Sequence, residues 1–293
     1  MLLCLLLFFL CLCFPEISGS GIKNGLTLIA GQVLPALYPF ILLTTFFRYL
    51  SMRRGAGRYL SIFIGFLSGY PLGAKAASDF KSSKNRISPQ SLLLICNNPG
   101  PAYMISFIGL NCFDSLRLGL SIYMAVLAGN LTAGLLFNPL HKKADAAFLE
   151  SLSPRKAENH SEENARKTNL LDLVIHDTFS IIVNISSYIL IFSTAAAFIR
   201  RLTFLPAVIQ ALLAGLLEMT TGIRMLASQT SLSPMVKILL TTGLISFGGF
   251  SVIAQTKSMI GESSLSIKKY TTEKAIAATI AVSVMYIYIT LCL

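Results

Sequence analysis

Ser68-Gly69-Tyr70-Pro71-Leu72-Gly73-Ala74-Lys75 interrupts one apolar segment of this chain, and Asn97-Asn98-Pro99-Gly100-Pro101 interrupts the next. Hydrocarbon offers the backbone no hydrogen bonds. Irregular chain at membrane depth therefore persists only where protein covers it or where it lines a wet cavity. Two such stretches in succession predict an internal site for something polar.

The surrounding composition is that of a bilayer protein. Of 293 residues, 54% are hydrophobic and 13% charged, with a mean hydropathy of +0.69. Soluble domains carry about 25% charged residues. Apolar stretches of spanning length recur, and they are apolar on all sides rather than alternating, which excludes a transmembrane β-barrel. The expected fold class is all-α: a polytopic membrane protein with the lipid bilayer as its surroundings. The net charge of +11 would suggest nucleic acid in a soluble protein. Here cytoplasmic loops that collect Lys and Arg explain it, and no nucleic-acid motif argues otherwise. Six cysteines without a CxxC and three scattered histidines predict no metal site, no disulfide framework and no cofactor. There is no HExxH, GxSxG or P-loop, so the chain is not read as an enzyme and no catalytic residue is assigned.

Working outward, residues 1–25 read as a short N-terminal span or signal-anchor, with a cleaved leader as the alternative. Leu26 to Leu50 is a span with Pro35 and Pro39 inside it, followed by Arg48, Arg53, Arg54 and Arg58. Tyr59 to Ala77 is the first broken segment, better read as a re-entrant hairpin than as a full crossing. Ser88-Pro89 opens the next helix, with Ser as N-cap and Pro at the first helical position. Arg117 to Phe137 is a span, and residues 139–169 form a polar cytoplasmic linker. Leu173 to Ile199 spans again. Leu205 to Leu226 carries Glu218 and Arg224, and Ser233-Pro234 starts another helix, which contains Ser246-Phe247-Gly248-Gly249-Phe250-Ser251 and Gln255. A basic loop with Lys268, Lys269 and Lys274 precedes the last span, Ala275 to Leu293.

The two halves echo each other. Tyr38 and Gly65 have counterparts at Tyr188 and Gly215, each 150 positions on, and Pro99-Gly100 has one at Gly248-Gly249, 149 on. Ser88-Pro89 matches Ser233-Pro234. A duplication follows, with repeats at 26–138 and 170–293. If residues 59–78 re-enter, the basic loops at 48–58, 78–87, 139–169 and 256–274 share one side, the cytoplasmic one. Three crossings then separate equivalent helices, and the repeats are inverted. Inverted repeats with broken helices are a plan of secondary transporters, with the site at mid-membrane.

The candidate substrate-binding residues come from the breaks. Ser68, Gly69, Tyr70 and Lys75 belong to the first, and Asn97, Asn98 and Gly100 to the second. Glu218, Thr220, Thr221, Arg224, Ser246, Gly248, Gly249, Ser251 and Gln255 come from the second half. Half-helix N-termini suit anions, and adjacent buried amides are costly in hydrocarbon unless used. Lys75 is read either as a ligand group or as an interfacial charge. Glu218 is read as a functional intramembrane carboxylate, with a Glu218–Arg224 ion pair as the rival. Tyr70, Phe247 and Phe250 either stack on a ring-shaped substrate or simply pack. His176-Asp177 reads as a boundary pair.

Residues 65–75 (GFLSGYPLGAK), then Ser88-Pro89, residues 97–105 (NNPGPAYMI), 215–222 (GLLEMTTG) and 246–255 (SFGGFSVIAQ) resemble the Gate, or nucleoside-recognition, domain proteins. Within that family they are most similar to sporulation integral membrane proteins. The resemblance covers residues 26–290. It implies a duplicated gate-type fold, like segments of nucleoside transporters, in a bacterial cell membrane. In spore formers it implies the mother-cell-derived outer forespore membrane and movement of dipicolinate. The expected function is thus transport of a small anionic metabolite, with a proton or cation as the candidate coupling species. A nucleoside-like or other solute carrier and a non-transporting component of a sporulation complex are the alternatives. Self-association as a homo-oligomer stays open.

Overall fold

The computed structural model describes residues 2–54, 63, 65–80, 86–151, 169–261 and 263–292. Among these every regular element is helical, as expected. The first half runs α1 (Leu2–Cys13), α2 (Pro15–Leu28), α3 (Leu34–Arg54), α4 (Leu72–Ser78), α5 (Pro89–Cys96) and α6 (Leu116–Ser151). The second runs α7 (Leu170–Ile199), α8 (Ala207–Leu217), α9 (Met219–Ala227), α10 (Pro234–Phe247), α11 (Gly249–Ile260) and α12 (Ile267–Cys292). Four helical stretches are long and apolar enough to cross a membrane: Leu116–Lys143, Leu170–Ile199, Pro234–Ile260 and Ile267–Cys292.

Local chemistry explains the starts and stops. The Ser88 hydroxyl accepts from Ser91 N at 3.1 Å and the Ser233 hydroxyl from Val236 N at 3.4 Å, each ahead of a proline at the first helical position. Both residues are the N-caps expected of them. A wide turn at Ile29–Val33 joins α2 to α3, and Leu34 N reaches back five residues to Ile29 O. Pro35 follows it and brings no N–H, so a π-turn absorbs the missing donor. Tyr103–Cys112 winds with the same wide spacing.

Small residues set the close helix contacts. A Cβ at Gly21 would fall 2.6 Å from Thr194 Cα, and one at Gly129 would fall 2.6 Å from Ala277 O. Hence α2 lies tightly on α7, and α6 on α12, as small-residue faces allow in lipid. The main core gathers Met104, Phe107, Ile108, Ile122, Val126, Ile223, Leu226, Ile245 and Met285. Large side chains such as Leu136, Phe179 and Ile287 cover the outside, where lipid is the natural neighbour.

Three expected boundaries move. The helix expected to begin at Leu26 already runs from Pro15, because the polar residues Glu16, Ser18 and Ser20 do not break it. The expected linker at 139–169 is helical as far as Ser151, and residues 152–168 lie outside the described residues. The basic loop ending at Lys274 is a helix from Ile267, and Lys274 is fully buried inside the bundle. The re-entrant reading of 59–78 falls partly on residues 59–62 and 64, outside the described ones.

Candidate functional site

Four helix breaks meet in the interior. At the first, Gly69 takes φ +72° and Tyr70-Pro71 is a cis peptide. Tyr70 N donates to Asn98 O at 2.8 Å, so the first break is bonded to the second. The fit is backbone on backbone. A Cβ on Gly69 would collide with Asn98 O, one on Gly73 with Cys96 O, and one on Gly100 would sit 3.1 Å from Ser68 O. These glycines are needed for close approach as much as for turning. Ser68 is buried beside them.

At the second break, α5 ends at Cys96 and the two amides turn inward. Asn97 Nδ2 donates to Thr256 Oγ1 and to Tyr270 OH, both at 2.8 Å. Asn98 Nδ2 donates to Ile95 O at 2.6 Å, and Asn98 Oδ1 accepts from Lys274 Nζ at 2.8 Å. Lys274 also donates to Asn130 Oδ1 at 2.8 Å, and Asn130 Nδ2 donates to Ser246 Oγ at 3.2 Å. One ammonium thus ties the second break to α6 and, through Asn130 and Ser246, to α10. Buried polar groups are hydrogen-bonded as a rule; Asn97 Oδ1 is buried with no hydrogen-bond partner among the described residues.

At the third break, α8 stops at Leu217 and α9 starts at Met219. Glu218 is the N-cap: Oε1 accepts from Thr220 N at 3.0 Å, and Oε2 from Thr221 N and Thr221 Oγ1, both at 2.7 Å. A carboxylate at a helix N-terminus also meets the positive end of the dipole. The Glu218–Arg224 pair is therefore not formed. Arg224 is exposed, its guanidinium 5.9 Å above the Phe107 ring. At the fourth break Gly248 and Gly249 take φ +89° and +74°. A Cβ on Gly249 would stand 2.9 Å from Gly215 O, so this break seats against the third.

Between the breaks lies a cavity of about 50 Å³. Its polar wall is Tyr70, Gly100, Tyr103, Glu218, Thr220, Ser251 and Gln255, and its apolar wall includes Leu37, Ile185 and Ile189. Tyr70 OH donates to Met219 Sδ at 3.0 Å, and Tyr103 OH lies 3.3 Å from Thr220 Oγ1. Of the residues singled out from sequence, Tyr70, Gly100, Glu218, Thr220, Ser251 and Gln255 face the cavity. Gly69, Gly248 and Gly249 shape the breaks, while Asn97, Asn98 and Ser246 form the polar layer behind. Thr221 serves the Glu218 cap. Lys75 goes elsewhere, paired with half-exposed Asp79 at 3.2 Å one turn on. Phe250 is exposed, its ring edge-on to that of Phe247. His176 is exposed, while Asp177 Oδ2 accepts from Tyr49 OH at 2.8 Å.

Sequence reasoning missed Tyr103, Asn130, Tyr270 and Lys274. The signal was there for two of them. Asn130 is a lone amide in an apolar run, and Lys274 would have stood inside a span had the helix been started at Ile267 instead of Ala275.

Apolar spanning helices, interrupted around a buried polar centre, define an integral membrane protein of the polytopic all-α class. The chain is related to a sporulation protein. It is 23% identical, over 87% of its length and 74% of the other's, to "Sporulation integral membrane protein YlbJ" of Bacillus subtilis (strain 168). No protein-family model and no solved structure matches the chain.

Proposed function

We propose that this protein is a secondary carrier for a small anionic metabolite, built from two gate-type repeats of opposite orientation whose breaks face each other. The cavity between the breaks carries this reading. It lies at the first turns of three half-helices: α9, α11 and the helix that begins at Pro101. Each such end presents free N–H groups and partial positive charge. At α9 Glu218 uses them. At α11 no side chain caps the start, and Ser251 and Gln255 stand beside it. That end is the seat for a carboxylate. The motif resemblance points to dipicolinate, carried across the outer forespore membrane.

Size sets the conformation. A cavity lined for one benzene ring measures about 150 Å³, so 50 Å³ corresponds to a closed form that must part at the breaks to load. The rings of Tyr70 and Tyr103 with the Gln255 amide favour one second reading, a nucleoside-like solute, since stacked rings and neutral hydrogen-bonding groups suit a base.

Counterflow of labelled dipicolinate and of labelled uridine in proteoliposomes separates the two. The carrier reading expects dipicolinate exchange that falls about tenfold in Ser251→Ala or Gln255→Ala, the loss of one hydrogen bond to a charged group. Uridine exchange without dipicolinate exchange transfers the assignment to the second reading. Exchange of neither sinks both.

A further inference from the structure

A second buried polar chain lies apart from the cavity, where α5, α6 and α12 meet. Ser91 Oγ is 2.8 Å from His141 Nδ1, and His141 Nε2 is 2.7 Å from Glu273 Oε1. Only 4% of the His141 side chain and 7% of the Glu273 side chain are exposed. Ser88 Oγ donates to Ser91 Oγ at 3.2 Å, so Ser91 is free to donate its own proton to Nδ1. The imidazole then carries its proton on Nε2 and gives it to the carboxylate. That leaves Glu273 Oε2, which is buried and has no hydrogen-bond partner among the described residues. An ionised oxygen left unpaired in a protein interior is costly, and a proton is the smallest ligand that relieves the cost.

Access is provided. An open cleft of about 400 Å³ runs past the pair; Phe137, Leu140 and Ile276 form its apolar wall, and His141, Glu273, Thr272 and the exposed Lys268 and Lys269 its polar side. Lysines mark the watery end of a membrane helix. These two are the charged groups facing the pair from the start of α12. On α6, Lys142 and Lys143 are exposed, and from α5 the neutral Ser91 bonds the ring. Lys274, next on α12, is turned to the asparagines of the second break.

We propose that His141 and Glu273 form a proton-binding site, loaded from this cleft, whose occupancy biases the second break. The proton comes from water in the cleft and is held by the pair, with Oε2 as its open position. The link to the break is short and made of rigid parts. Ser91 belongs to α5, which ends at Cys96 and runs straight into Asn97-Asn98, and Gln90 clamps Ser266 through bonds of 3.1 and 2.9 Å. Glu273 directly precedes Lys274, which holds Asn98. A change of charge at the pair therefore acts on both sides of the break through packed elements. The use of the proton to drive transport rests on the carrier reading above; its binding does not.

Two measurements on the full chain test this. In nanodiscs, ring-15N histidine spectra are followed between about pH 5 and 8, the range in which histidine charge changes. The His141 signal is assigned from its absence in His141→Asn. The proposal expects that signal to move with pH, and the movement to be lost in Glu273→Gln, which removes the carboxylate that takes the proton. Resonances that stay fixed with pH, or a titration unchanged in Glu273→Gln, overturn the site.

In proteoliposomes with a gradient of about one pH unit, one coupled proton supports up to about tenfold dipicolinate accumulation over protein-free vesicles. Glu273→Gln should keep counterflow and lose this accumulation; unchanged accumulation overturns the coupling. Absence of counterflow in the unaltered protein defeats the carrier reading and the coupling, and the histidine spectra still decide the proton site.

Discussion

Lys274 donates to Asn98 across 2.8 Å, joining the last helix to the break that ends α5. The bond adds a polar tie between two elements that also share an apolar cluster, Leu93 and Ile95 with Tyr270 and Ala277. The ammonium is compensated here by amide oxygens, Asn98 Oδ1 and Asn130 Oδ1. Replacing Lys274 by Met strands both, at about 1–3 kcal/mol for each buried unpaired group. Denaturation of the purified protein in mixed micelles should show a loss of that order. A cycle of Lys274→Met with Asn98→Ala should give a coupling of about 0.5–3 kcal/mol, the range spanning neutral and charge-assisted hydrogen bonds. Strict additivity would mean that the bond contributes nothing.

Glu218 is held by its own helix. Three donors converge on its carboxylate, so its first role is to start α9. Glu218→Ala should lower stability by about 1–2 kcal/mol, the range for a lost cap. Glu218→Gln keeps an acceptor oxygen for the cap and should lose less. Thermal midpoints of the two variants check the order. If Ala proved more stable than Gln, the capping account would be wrong.

The glycines of the first break are a steric test of the same architecture. A Cβ at Gly73 meets the Cys96 carbonyl, and one at Gly69 meets the Asn98 carbonyl at a φ of +72°. Backbone cannot swing aside as a side chain can. Gly69→Ala and Gly73→Ala should therefore abolish monodisperse protein on size exclusion. Gly19 in α2 has nothing within 4 Å, and Gly19→Ala should be neutral or gain up to about 1 kcal/mol from helix propensity. Equal behaviour of all three would show that the breaks do not interlock.

The breaks were legible in the sequence because glycine, proline and asparagine are rare answers to an apolar environment. Ser68–Lys75 and Asn97–Pro101 fall where helices stop or start, and so do Glu218, expected only as a carboxylate inside an apolar run, and Gly248-Gly249, expected only as the repeat counterpart of Pro99-Gly100. What convergence adds was not legible. Nothing in the spacing of Asn98, Asn130 and Lys274 says that they meet, because that depends on how α6 and α12 pack. Lys274 was misplaced for a further reason. A lysine following Lys268 and Lys269 reads as one more loop charge, whereas helix α12 carries it a turn deeper, to the inside. His141 and Glu273 were obscured in the same way, each standing at the polar edge of an apolar run.

Charge near a break is a poor guide to charge in the site, and Lys75 and Arg224 make the point testable. Lys75 pairs with Asp79 with both side chains 40–49% exposed. Such surface pairs contribute about 0–1 kcal/mol. Arg224 is exposed, with its guanidinium over the Phe107 ring. Neither guanidinium nor ammonium lines the cavity. Lys75→Ala and Arg224→Ala should thus leave the apparent KM for counterflow within about twofold, less than 1 kcal/mol. Gln255→Ala, measured beside them, should raise it well beyond that. A large KM change from Arg224→Ala, with Gln255→Ala silent, would move the substrate to the outer face of α9 and leave the cavity without one.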